Sequence, residues 1–155
     1  MAEQTSAGIL MAIHAMYAET ILSGRKTIEF RRQQPRIPKG TRIWLYATKR
    51  SLKAKTGAVV GSFAADDIVP INAVAPTQRI LRAGGVTRKI FDEYFNGVDV
   101  GWGIKVVDPI RLLAPVPTNQ QGLQSYRWLQ PRSKDRTLYY GHLRNAAPAP
   151  PAATS

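Results

Sequence analysis

Lys26, Glu29 and Arg31 fall within Lys26–Arg32, where Ile28 and Phe30 alternate with Thr27, Glu29 and Arg31. Alternation by twos is the period of a half-buried strand, so Glu29 and Arg31 share one face and the two apolar residues share the other. A carboxylate between two cations can hold and pass a proton. A guanidinium forks onto a carboxylate or a phosphate with two parallel hydrogen bonds, and a lysine adds a compact point charge. The plainer alternative is an edge strand of solvated charges, with Glu29 and Arg31 pairing only to order it.

The same stretch opens the most basic part of the chain. From Arg25 to Lys55 there are 11 Lys and Arg against one acid, Glu29, which is half of the 22 cations in the sequence. Arg32 follows the first cluster, and the KRSLKAK segment supplies Lys49, Arg50, Lys53 and Lys55, read as a flexible basic loop. Such residues neutralise phosphates and release counterions, which gives salt-dependent affinity. Trp44 and Tyr46 interleave with these cations, and Tyr126 and Trp128 come later. Stacking a base on an exposed aromatic ring is worth about 1–3 kcal/mol. Trp44 reads first as core, because Ile43, Leu45 and Ala47 make the other face of its strand apolar too. Tyr46 keeps a hydroxyl for a polar partner, and Trp102, between Gly101 and Gly103, reads as a cleft wall or a bulge.

Composition limits the remaining chemistry. The 155 residues suit one domain. Cysteine is absent, so disulfides, thiolate metal sites and a cysteine nucleophile are excluded. His14 and His142 are the only imidazoles, too few for a His-rich metal site, and each reads as structural. No metal or cofactor is expected. The net charge of +12 and a pI of about 10.5 favour polyanionic partners. No run approaches the roughly 18–20 apolar residues of a membrane span. Met1–Ser6 lacks the features of a signal peptide, so the expectation is a cytoplasmic protein with no membrane partner.

Short elements must position these residues. The pattern predicts a strand at Ile9–His14 and a helix at Met16–Ser23 presenting Met16, Tyr17, Thr20 and Ile21, with Gly24 as its stop. After the Lys26–Arg32 strand come a Pro35–Gly40 turn and a strand at Arg42–Thr48. A strand at Ala58–Phe63 is expected to end in an acidic turn before Pro70. Helices follow near Pro76–Ala83 and Thr87–Phe95, with Pro76 at a helix start and Thr87 as a cap. Val98–Leu113 is strand material interrupted by Gly101, Gly103 and Pro109, and Thr118–Ser125 forms a helical turn. Residues 1–7 are expected to be flexible, 8–145 to form the domain, and the Ala/Pro-rich 146–155 to be disordered. Many strands with short helices argue for a small α+β barrel rather than a doubly wound sheet.

The segment Ile21–Arg31, ILSGRKTIEFR, resembles the ASCH domain, a branch of the PUA-like superfamily. Gly24, Lys26, Glu29 and Arg31 occupy the places of that family's Gly-x-Lys and x-x-Glu-x-Arg pattern. Further likenesses are the Pro38–Gly40 turn, the strand reaching Tyr46, Val59–Phe63, Phe91–Gly97 and Gln124–Leu129. His14-Ala15 stands where relatives often have Lys-Pro. The resemblance spans roughly residues 8–131. It implies a PUA-like β-barrel with short flanking helices and a cleft for RNA or another nucleic acid. On that basis Lys26, Glu29, Arg31, Arg32, Tyr46, Lys49, Arg50, Lys53, Lys55 and Trp102 are the candidate nucleic-acid-binding residues.

Known ASCH relatives include proposed RNA-binding modules, a ribonuclease and an N4-acetylcytidine amidohydrolase. The last uses a Lys and a Thr, and Glu29 stands where that Thr would be, which weakens an amidohydrolase reading. The leading expectation is an RNA-binding module. The alternative is a hydrolase acting on RNA or a modified nucleoside, with Lys26 and Glu29 as the acid–base pair. A third class is a protein-interaction module with a basic face.

Overall fold

The computed structural model describes residues 8–48, 57–118 and 125–129. In chain order the elements are β1 (Gly8–His14), α1 (Ala15–Leu22), β2 (Ile28–Arg31), β3 (Arg42–Thr48) and β4 (Ala58–Asn72). Then follow α2 (Gln78–Gly84), α3 (Arg88–Tyr94), β5 (Val100–Pro117) and β6 (Tyr126–Leu129). The strands form one mixed sheet in the order β2-β5-β4-β3-β1-β6. Only β1 and β3 run parallel, and α1 and β2 supply the crossover that a parallel pair requires.

The sheet is buried on both faces. One face carries Ile9, Met11, Ile43, Leu45, Phe63 and Ile104 under Ile21 and Leu22 of α1. Leu10, Trp44, Tyr46, Val59 and Leu112 fill the other. Trp44 is fully buried, as its apolar strand implied. A third cluster joins Ile28 and Phe30 of β2 to Leu81, Phe91 and Phe95 of α2 and α3, with the Phe30 and Phe91 rings edge to face at 5.3 Å.

Several expectations change. β4 does not end before Pro70 but runs 15 residues, through Asp66, Asp67 and Pro70. Its pairing with β3 ends at Ala64, and a register shift between Ala65 and Ile68 absorbs the acidic pair. Ala65 still exchanges backbone bonds with Gly40 and Thr41, but from Ile68 on β4 pairs with β5 alone among the described strands, so Pro70 faces no partner strand with its missing N–H. β5 likewise continues through both glycines and Pro109 to Pro117. Met16 is 53% exposed, and α1 buries Ala18, Ile21 and Leu22 instead. α2 starts at Gln78 rather than at Pro76 and is capped by Thr77, whose side chain accepts from the Ile80 N–H, while Thr87 caps α3 as expected.

The sheet is not closed: β2 and β6 are its two edges. It is nevertheless strongly curled, because the Arg31 side chain on β2 reaches Ala12 of β1 and Ser125 just before β6. No helix among the described residues is long and apolar enough to cross a membrane. The loop expected at residues 49–56, most of the Thr118–Ser125 turn and the two chain ends lie outside the described residues.

Candidate functional site

The three residues singled out by spacing converge, and they are buried. Lys26 is 3% exposed and Glu29 8% exposed, so the solvated edge strand does not describe them. Glu29 pairs in register with Ile104 and Arg31 with Trp102, which puts both side chains on the α1 face of the sheet.

Lys26 reaches its position through local geometry at three elements. Gly24, at a φ of 81°, turns the chain after α1. The Lys26 ammonium then sits 5.1 Å from the Tyr17 ring centroid and 5.0 Å from that of Phe30, and donates to the Gly84 carbonyl at 2.5 Å. Gly84 ends α2, and Gly85 with φ 65° closes it by donating to Arg82, while Val86 donates to Leu81. That closure leaves the Gly84 carbonyl at the negative end of the helix, where a cation is favoured.

Glu29 lies between the cations, with Oε2 3.7 Å from Lys26 Nζ and Oε1 3.5 Å from Arg31 Nη2. Among the described residues Oε2 has no hydrogen-bond partner, and neither has Arg31 Nε. Arg31 extends outward, donating to the Ala12 carbonyl at 3.5 Å and to Ser125 Oγ at 3.4 Å. The three groups form a charged chain from the interior to the seam between β2 and β6, with one net positive charge.

Burial pushes the Lys26 ammonium below its ordinary lysine range, and Glu29 opposes that shift only in part. Tyr17 is pushed up, by burial first and then by the Glu29 charge. A lysine that sheds its proton more easily, beside a carboxylate with a free lone pair, is suited to proton transfer. Arg31 adds a charge of the kind that can stabilise developing negative charge.

The other expected site residues separate from this chain. Arg32 turns to α3 and donates to the Tyr94 and Asn96 carbonyls at 2.7 and 3.0 Å. Tyr46 packs in the Trp44 cluster, on the opposite sheet face, against Gly57. Trp102 is half-buried beside Arg31. Its flanking glycines have a packing role: a Cβ on Gly101 would meet the Phe95 ring at 2.1 Å, and one on Gly103 would meet Ile28 at 2.7 Å. Lys49, Arg50, Lys53 and Lys55 lie outside the described residues. His14 is structural, its Nδ1 accepting from the Met16 N–H at the start of α1. Among the described residues no three His, Asp or Glu side chains group as metal ligands.

Tyr17, Gly84 and Ser125 belong to the site without having been expected there. The Gly84-Gly85 pair did carry a signal, since adjacent glycines mark helix ends. Nothing in the spacing of Lys26 and Gly84, 58 residues apart, joins the two.

With this geometry in place, the likeness to known proteins is specific. Residues 11–113 match the ASCH domain. This chain belongs to the ASCH domain family. An ASCH domain-containing ribonuclease of Zymomonas mobilis subsp. mobilis is 32% identical over 121 residues, 74% of this chain and 78% of that protein. The crystal structure of ASCH from Zymomonas mobilis matches with a TM-score of 0.70 at 27% identity, covering 90% of this chain and 96% of that one. A crystallised Tyr→Phe variant of the Zymomonas protein also gives 0.70, at 27% identity over 88% of this chain and 97% of its own. The mixed sheet and three helices are therefore those of the ASCH fold, and the Lys26–Glu29–Arg31 chain lies within the matched domain.

Proposed function

We propose that this ASCH domain binds RNA and cleaves its phosphodiester backbone. The observation that carries the reading is the buried Lys26–Glu29–Arg31 chain, which ends in a guanidinium at the sheet seam. Its chemistry suits a phosphodiester, and the ribonuclease relative supports RNA as the class of substrate.

In this reading Arg31, beside Ser125 and the half-buried Trp102, holds the scissile phosphate at the outer end of the chain. Glu29 takes the proton of the ribose 2′-hydroxyl as its oxygen attacks phosphorus. The bond to the 5′-oxygen breaks and that oxygen takes a proton from solvent water, while Lys26, buried behind Glu29, positions the carboxylate. The products are a 2′,3′-cyclic phosphate and a 5′-hydroxyl. Glu29 then releases its proton to solvent water, which restores the starting state. In this reading the RNA strand enters at the seam where Arg31 of β2 approaches Ala12 and Ser125.

End analysis of labelled single-stranded RNA tests the assignment. Cyclic phosphate ends formed by the wild-type protein, and absent with Lys26→Met, are the expected result. Salt-dependent binding with no cleavage would return the chain to the simpler role of an RNA-binding module.

A further inference from the structure

The basic stretch from Arg25 to Lys55 is less available than its composition implies. Among its described members, Arg31 and Arg32 are engaged as above, Lys39 pairs with Asp66 at 3.2 Å, and Arg42 pairs with Asp108 at 2.6 Å. Arg88 and Arg111, elsewhere, are also held, by Asp92 and Glu19. An exposed cation paired one-to-one with a carboxylate contributes little to holding a phosphate, unlike Arg31, whose Glu29 is shared with Lys26.

Arg79 and Arg82 of α2 are different. Both are exposed, and neither meets a carboxylate within ion-pair distance among the described residues. They stand three residues apart, so they are neighbours on the helix surface. α2 turns Leu81 and Gly84 inward, which leaves the two arginines on its outer side. The helix is also fixed to the candidate site. Its Gly84 carbonyl holds Lys26, and Thr27 N donates to the Ala83 carbonyl at 2.8 Å. Arg25, exposed and bonded through Nε to Ser23 Oγ, precedes these anchors. Glu19 lies within its electrostatic reach, but both Glu19 oxygens accept from Arg111. On α3, Asp92 is taken by Arg88, and Glu93 forms no ion pair among the described residues.

We infer that the outer side of α2, through Arg79 and Arg82 with Arg25 beside it, is a second phosphate-contacting surface for a single RNA strand. The inference rests on the RNA reading above and adds a place for the strand beyond the scissile bond. From Thr27, next to α2, to Arg31 is four residues of extended chain, about 13 Å. A strand held at both ends must therefore extend over more than one nucleotide.

The test is the salt dependence of binding to a fluorescein-labelled 12-nucleotide oligouridylate. Each single-strand phosphate contact adds about 0.7 to the magnitude of the log–log salt slope. The double variant Arg79→Gln/Arg82→Gln should lower that magnitude by about 1.4. A control of equal charge loss at other exposed cations, Arg36→Gln/Lys105→Gln, should leave it unchanged. An unchanged slope in the α2 variant, or the same fall in the control, overturns the inference while leaving the RNA reading intact. Failure of the wild-type protein to bind the oligonucleotide at low salt overturns both.

Discussion

At the scale of single residues, what matters is the balance of charge inside the Lys26–Glu29–Arg31 chain. Two unit charges near 4 Å interact by about 4 kcal/mol at an effective dielectric of 20, so Glu29 offsets much of the cost of burying two cations. Glu29→Leu leaves Lys26 and Arg31 facing each other without an anion and is expected to cost about 3–5 kcal/mol in urea unfolding. Lys26→Met removes one charge, keeps the Glu29–Arg31 contact and fills similar volume, so its cost should be less than half as large. An equal cost for the two variants would mean that the charges do not interact as their distances imply.

Lys26 also makes a prediction about pH. Its pKa is lowered by folding, so between that folded value and the ordinary lysine value near 10.4 the unfolded chain holds more protons than the folded one. Stability therefore rises with pH through this window as the penalty of a buried ammonium is relieved. Unfolding free energies of the wild type and Lys26→Met, followed from neutral pH toward pH 10, should diverge in favour of the wild type. A constant difference would show that folding leaves the lysine's proton affinity unaltered.

At the scale of elements, α2 supports the site by its end rather than its side. The Gly84 carbonyl receives Lys26, and a Cβ at Gly84 would meet the Phe30 ring at 2.1 Å, with no room for even a methyl group. Gly84→Ala should therefore push α2 away from β2, destabilise the fold by about 1–3 kcal/mol in thermal or urea unfolding, and lower cleavage more than binding. An unaffected rate would detach α2 from the chemistry. This dependence was invisible in the sequence, because a helix end 58 residues away leaves no local pattern around Lys26. By contrast β3 could be read to the residue. Its alternation of aromatic and aliphatic side chains is complete within Arg42–Thr48, and both faces are buried as that pattern implies. The end of β4 was not legible. Asp66, Asp67 and Pro70 look like a turn, yet a register shift and an open side toward β3 allow the strand to continue.

At the scale of the whole molecule, composition correctly marks a strongly basic chain, but a count of cations does not show which are already committed. Arg32, Lys39 and Arg42 lie in the most basic stretch and hold carbonyls or carboxylates of their own chain. The open sheet has a consequence at the same scale. Arg31 bridges from the β2 edge to β1 and Ser125, so it joins the two ends of the sheet while pairing with Glu29. In the proposed reading, phosphate binding and closure of the seam would draw on one side chain. The most direct measurement is kcat/KM for cleavage of a single-stranded RNA by the wild type, Lys26→Met and Arg31→Gln, each confirmed folded by circular dichroism. A loss of 100-fold or more in each folded variant is predicted, the scale of a lost proton-transfer or charge-stabilising group. Wild-type rates in both variants would contradict the assignment of the chemistry to this buried chain.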